Sequence, residues 1–376
     1  MKKLVFPIAV LLAAVSCNDR APVVRDTIPY VKQLSVDTTG TFSLVRHYRT
    51  DGAKGAIALI GEPEECMLLS RAFLTADKVD NIDGKAAPDR LPDFAGETFT
   101  VLMDDYNAPY LRLVSTSRDT LREVAVRNAV MALDTVAYSN ASDRSTRLRK
   151  NGAKVFVLAS SLLSGYGRFD IDTLFKMAGR EALVLSSEEA LVGSAVRSGA
   201  RHVAVWAPAE ARSAYQQAAA GCLDLTVITP EGDDVRTAFR NLLRQYRQLK
   251  PNTVLDAVLL DSFTADTDEL AAEVEHIHRQ ITEEDMSFDS TLAVGFRFLE
   301  PTSCLTDACY RLLREKNLFT HNIAYPSARY YQTEESMDGD YVPVEVSLDY
   351  LAKRFGGVNA PAVPREDSYI YVPDYD

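Results

Sequence analysis

From Gly55 onward the chain alternates between short runs that are apolar almost throughout and longer stretches in which apolar residues return every three or four positions. Gly55-Ala-Ile-Ala-Leu-Ile-Gly61, Thr98-Phe-Thr-Val-Leu-Met-Asp104, Lys154-Val-Phe-Val-Leu-Ala-Ser160, Ala182-Leu-Val-Leu-Ser186 and Arg201-His-Val-Ala-Val-Trp206 are runs of the first kind. Short β-branched runs separated by helical patterns of about ten residues predict βαβ units feeding a parallel sheet. Because the runs are apolar on both faces, they predict strands covered by helices on each side. The alternation continues with strands over 225–228, 255–261 and 291–299, and strand-like segments over 322–331 and 341–346. Helices are predicted over 64–76, 118–133, 170–178, 188–196, 210–220, 233–249, 268–281 and 302–315, with a glycine-bearing loop after Ser161. Before Gly55 the pattern is weaker, and 33–36 with 41–47 reads as an antiparallel pair.

In sheets of this kind ligands sit beyond the carboxyl ends of the strands. That directs attention to Ser160-Ser161, Ser186-Ser187 and Ala207-Pro208.

The first residues add a location. Met1-Lys2-Lys3 precedes an apolar run from Leu4 to Val15 that ends at Ser16-Cys17. A basic start and a short apolar core describe a secretory signal, too short to span a membrane as a helix. Cysteine directly after Ala14-Val15-Ser16 resembles the lipobox of bacterial lipoproteins, which implies lipidation, palmitate included, on Cys17 after removal of residues 1–16. Acyl chains contribute about 0.8 kcal/mol per buried methylene, enough when several act together to hold a protein on a membrane. The expectation is a lipid-anchored protein on the extracytoplasmic side of a bacterial membrane, periplasmic or at the cell surface.

The formal net charge of -12 argues against nucleic acid as a partner, since phosphate contacts need a basic surface. Cys66 and Cys222 stand alone in the sequence and read as buried free thiols. The acid-rich loop over 81–97 carries Asp83, Asp89, Asp93 and Glu97, but not the spacing of a calcium loop, and reads as a solvated surface loop. No metal site and no cofactor are implied, because neither phosphate-binding glycine motif is present. No Gly-x-Ser-x-Gly elbow accompanies Ser160 or Ser161, so ligand-contacting hydroxyls are expected there rather than an activated nucleophile. Among the histidines, His321, where a helix passes into a strand, is the best single candidate for a site.

Asp104-Asp-Tyr-Asn107-Ala-Pro-Tyr110 ends one strand and opens a helix, and this is similar to a motif near the active site of aspartate/glutamate racemases. Lys154 to Ser161 looks like the strand that carries that family's first catalytic cysteine, and Asp256 to Ser262 falls where its second is presented. The resemblance covers roughly residues 55–263. It implies two opposed acid–base residues at those positions, yet Ser160 and Asp261 stand where the thiols would be. A serine hydroxyl is too weak a base at neutral pH without activation, so two-cysteine racemisation is expected to be lost.

The resulting expectation is an α/β fold of two Rossmann-like lobes with mainly parallel sheets and an interlobe cleft. The divisions are a signal peptide at 1–16, a tether at 17–54, lobes at 55–150 and 151–263, completing elements at 264–356 and an irregular tail at 357–376. A small polar, amino-acid-like ligand is expected in the cleft, touched by Asp104, Asn107, Tyr110, Ser160, Ser161 and Asp261, with Glu62 and His321 behind them. Two alternatives stand beside it: a periplasmic-binding-protein-like solute receptor of the first structural type, recognisable by three chain crossings between lobes, and an enzyme using Ser160 or Asp261.

Overall fold

A computed structural model describes residues 25–37, 40–49, 54–81, 84–320, 322 and 324–356. The signal peptide, Cys17, Asp83, His321 and the tail lie outside the described residues. Twelve strands occur among those described. They are β1 (Ala56–Gly61), β2 (Thr98–Met103), β3 (Val136–Tyr138), β4 (Arg147–Arg149), β5 (Ala153–Leu158), β6 (Val184–Ser186), β7 (His202–Trp206), β8 (Asp224–Ile228), β9 (Leu255–Leu260), β10 (Leu292–Leu299), β11 (Ser327–Glu335) and β12 (Tyr341–Val346).

They form two sheets. The larger runs β4-β3-β12-β11-β2-β1-β5-β6 and the smaller β10-β9-β7-β8. All pairs in the smaller sheet are parallel, and the larger is parallel except where β11 meets β12 and β3 meets β4. β1 and β5 are buried at every position, as their unbroken apolar runs require once helices cover both faces.

The sheets divide the chain differently from the expected boundary at 151. β5 and β6 pair into the larger sheet beside β1, and the change of sheet falls between Ser186 and His202. Among the described residues the chain crosses to the smaller sheet after β6 and returns before β11, two crossings. One hydrophobic core runs through both lobes, joining β1, β2 and β5 to Val203, Val205, Tyr215 and Leu259.

Two local expectations are corrected. The supposed antiparallel pair before Gly55 is two short helices, Pro29–Val36 and Thr41–His47, whose buried Val31, Leu34, Phe42 and Val45 pack into the main core. The loop expected after Ser161 is instead the start of a helix running unbroken from Ser161 to Met177. Its glycines are contact notches rather than turn residues. A Cβ on Gly167 would lie 2.0 Å from Ala125 Cβ, and one on Gly165 2.6 Å from Ala214 Cβ.

The acids of the 81–97 loop are mostly engaged by backbone. Asp93 accepts from the amides of Lys78 and Val79, and Asp89 from those of Asn81 and Leu91. Glu97 is buried in an ion pair with Lys154 at 2.7 Å. Cys66 is a buried free thiol, as expected, whereas Cys222, after the helix Arg212–Ala219, is half-buried rather than buried.

Candidate functional site

The carboxyl ends of β1, β2, β5, β6 and β9 carry the polar residues of interest, and they resolve into two hydrogen-bonded groups. The first centres on Asp104, directly after β2. Its carboxylate is fully buried and accepts from Asn107 Nδ2 at 2.8 Å, Tyr110 Oη at 2.9 Å, Asn128 Nδ2 at 2.6 Å and Thr333 Oγ1 at 2.8 Å. Burial still holds its pKa above the usual carboxylate range, although all four donors pull it down. With four internal partners and no exposed surface, Asp104 pins the tip of β2 to its neighbours and is not placed to meet a ligand. Tyr110 is equally buried, and Asn107 is half-buried with its amide turned to Asp104. The expectation that these three touch a ligand is corrected to that extent.

Glu62, at the end of β1, caps two helices. Its side chain and that of Glu65 form a reciprocal capping box at the start of the helix Pro63–Thr75, and Glu62 Oε1 also accepts from the Tyr110 amide at 2.8 Å. Glu65 thereby folds back over Gly61, where a Cβ would crowd Ala159 Cβ at 2.8 Å and Glu65 Oε2 at 3.2 Å. Glycine at 61 therefore leaves room for Glu65 beside the tip of β5.

The second group joins the two sheets. Ser161 Oγ donates to Asp261 Oδ2 at 2.6 Å, and Tyr215 Oη donates to Asp261 Oδ1 at 2.7 Å. Ser161 opens its helix at the tip of β5, Asp261 follows β9, and Tyr215 comes from the helix Arg212–Ala219. The notch at Gly165 lets that helix approach closely enough to bring Tyr215 in. Next along the edge, Ser164 Oγ donates to Glu188 Oε2 at 2.6 Å.

Burial pushes Asp261 up to about 6, against the pull of its two hydroxyl donors. Glu188 rises to about 7, again through burial, with Glu189 adding to it. Glu65 is raised well above the usual range by burial, then by the charges of Glu62 and Asp261. Asp261 and Glu65 are enclosed by protein on nearly every side yet keep some solvent-accessible surface, whereas Glu188 is buried. Among the described residues none of these three carboxyls is ion-paired with a lysine or arginine.

The structure thus brings Ser161 and Asp261 together, sets Ser160 beside them as the N-cap residue without a side-chain cap bond, and turns Asp104 and Tyr110 inward. Three residues were missed: Glu65, Glu188 and Tyr215. The capping-box pattern Glu62-Pro63-Glu64-Glu65 was a readable signal for the first, and the place of Glu188 just past Ser186-Ser187 for the second. For Tyr215 the signal was the Ala214-Tyr215 end of a helix–strand–helix run that resembles the racemases'.

Among solved structures, the chain is similar at low identity to glutamate and aspartate racemases. A glutamate racemase from Thermus thermophilus in complex with β-chloro-D-alanine superposes with a TM-score of 0.47 at 15% identity, over 81% of this chain and 94% of that one. A glutamate racemase from Francisella tularensis in complex with D-glutamate gives 0.46 at 13% identity, over 76% and 91%. An aspartate racemase from Picrophilus torridus gives 0.38 at 12%, over 70% and 99%. No family model and no curated protein matches the chain. None of the three free cysteines stands at the Ser160 or Asp261 position; all three are buried. Burial and the nearby acids push the Cys66 thiol well up, which leaves it inert.

Proposed function

We propose that the chain binds a small polar, amino-acid-like ligand in a crevice between the lobes, where the tips of β1, β5, β6 and β9 meet. What supports this above all is the 2.6 Å hydrogen bond from Ser161 to Asp261, which ties a strand tip of one sheet to a strand tip of the other. An ammonium group suits Asp261 and Glu65, which lack a cationic partner among the described residues and keep a reachable edge. A carboxylate suits the first turn of the helix Ser161–Met177, whose amides receive no side-chain cap from Ser160.

The same pair can move a proton. Burial raises both carboxyls, Asp261 to about 6 and Glu65 well above its usual range. Raised carboxyls in one crevice suit acid–base chemistry at a carbon centre. Two-thiol racemisation is not part of the proposal, because serine and aspartate replace the thiols.

Thermal unfolding with a panel of free D- and L-amino acids and sugars tests the binding. At least one compound is expected to raise the melting temperature of the wild type and to lose its effect when Ser161→Ala and Asp261→Ala are combined. No shift across the panel, or a shift kept by the double variant, counts against the site. Solvent deuterium entering the α-position of the stabilising compound separates catalysis from binding alone.

A solute receptor of the first structural type is less well supported, since the described residues cross between sheets twice rather than three times. For location, residues 1–17 support attachment to a bacterial membrane through lipid on Cys17, facing away from the cytoplasm. Mass spectrometry of the mature N-terminal peptide checks this. A diacylglyceryl-modified Cys17 is expected; retention of residues 1–16, or an unmodified or disulfide-bonded Cys17, contradicts it.

A further inference from the structure

A separate cavity of about 540 Å³ opens beside the lobe junction. Arg25, Arg118, Arg122 and Arg212 line it, against only Asp119 and Glu210 among acidic residues. Such an excess of cations is unexpected on a chain whose formal net charge is -12.

Two of the arginines are already engaged. Arg122 is held by Asp170 at 2.7 and 2.9 Å and by Asp119 at 2.9 Å, and Arg25 donates to the carbonyls of Gly165 and Tyr166. Arg118 and Arg212 are different. Neither has an ion pair among the described residues; Arg118 lies over the Tyr166 ring at 5.9 Å, and both are exposed at the cavity. Each begins a helix, Arg118–Leu133 and Arg212–Ala219; the first is capped by the Ser117 side chain, and a 3-10 turn, Ala209–Ala211, runs directly into the second.

We propose that this cavity binds a doubly charged oxyanion, a phosphate monoester, clamped between the guanidiniums of Arg118 and Arg212. Guanidinium groups present paired N–H donors that match the oxygens of a tetrahedral anion. Two guanidiniums without an ion pair among the described residues suit a group carrying two negative charges better than a single carboxylate. The cavity is large enough for the anion together with the body of a small molecule that bears it. Arg118 belongs to a helix packed on the larger sheet and Arg212 to one packed on the smaller, so a bound anion bridges the lobes.

Isothermal titration of the full chain with inorganic pyrophosphate at low ionic strength tests this. Saturable binding is expected, weakened about tenfold or more by Arg118→Gln or by Arg212→Gln. It should vanish in the double variant and be unchanged by Arg236→Gln, whose guanidinium pairs with Glu269 elsewhere. It should also survive Ser161→Ala with Asp261→Ala, which separates this site from the crevice. No saturable heat, or equal binding by the double variant, overturns the proposal. Sedimentation with phosphatidic acid vesicles but not phosphatidylcholine ones, dependent on both arginines, assigns the phosphate to a lipid headgroup. Pyrophosphate binding without such sedimentation assigns it to a soluble ester.

Discussion

Asp261 has an ionisation that folding makes harder. Its carboxyl titrates near 6 in the folded chain, against an ordinary 3.8, because burial opposes the charge. Between those values the folded state holds a proton that the unfolded state has released, so stability falls as pH rises from about 4 to about 6. Replacing the carboxylate removes that cost. Asp261→Asn is expected to be more stable than wild type at pH 7.5 by on the order of 1–3 kcal/mol, and to lose stability less steeply over that range. Urea unfolding at a series of pH values measures it, and a variant less stable at pH 7.5 would contradict the account. Asp104 behaves oppositely, because Asp104→Ala strands four donors in the core. A loss of roughly 3 kcal/mol or more is expected in the same assay, since each orphaned buried group costs about 1–3 kcal/mol. At this scale the sequence was a fair guide to position and a poor one to role. Ser161 and Asp261 were readable as strand tips, but whether a tip residue faces a ligand or a core depends on partners such as Asn128 and Thr333, which are remote in sequence.

The helix Ser161–Met177 shows how an element can be misread while its neighbours are read correctly. Glycines at 165 and 167 resemble loop residues in a sequence, since glycine is unfavourable in a helix interior by roughly 1 kcal/mol relative to alanine. Here both are selected by tertiary contact, with Ala214 on one side and Ala125 on the other. Gly165→Val should push the helix Arg212–Ala219 away and part Tyr215 from Asp261. The expected outcome is a melting temperature lower by several degrees, for roughly 1–3 kcal/mol of overpacking, together with loss of ligand stabilisation. A variant that binds as the wild type does would show that the notch does not position the site. By contrast, β1, β2, β5, β7 and β9 were legible because a run apolar on both faces has few other places to go. The short helices before Gly55 were not legible, since each carries only two buried residues and no sustained period.

Over the whole molecule, the larger sheet is assembled from both ends of the described chain, and the smaller is inserted between β6 and β11. Charge and composition could not reveal that division; only strand pairing does. The return segment is tied in by the buried ion pair of Lys154 with Glu97, where Lys154 Nζ also donates to the Leu318 carbonyl at 2.7 Å. Lys154→Met leaves Glu97 buried without its counter-charge and is expected to cost about 3–5 kcal/mol, read by urea unfolding. The insertion is what sets Asp261 against Ser161, and on that meeting the proposed site depends. Carboxyl-carbon NMR of the chain labelled at aspartate, with Asp261 assigned by comparison with Asp261→Asn, tests it most directly. The account predicts an Asp261 resonance that titrates near pH 6 and moves when the stabilising compound is added; an Asp261 titrating near 3.8 and indifferent to every compound would contradict it.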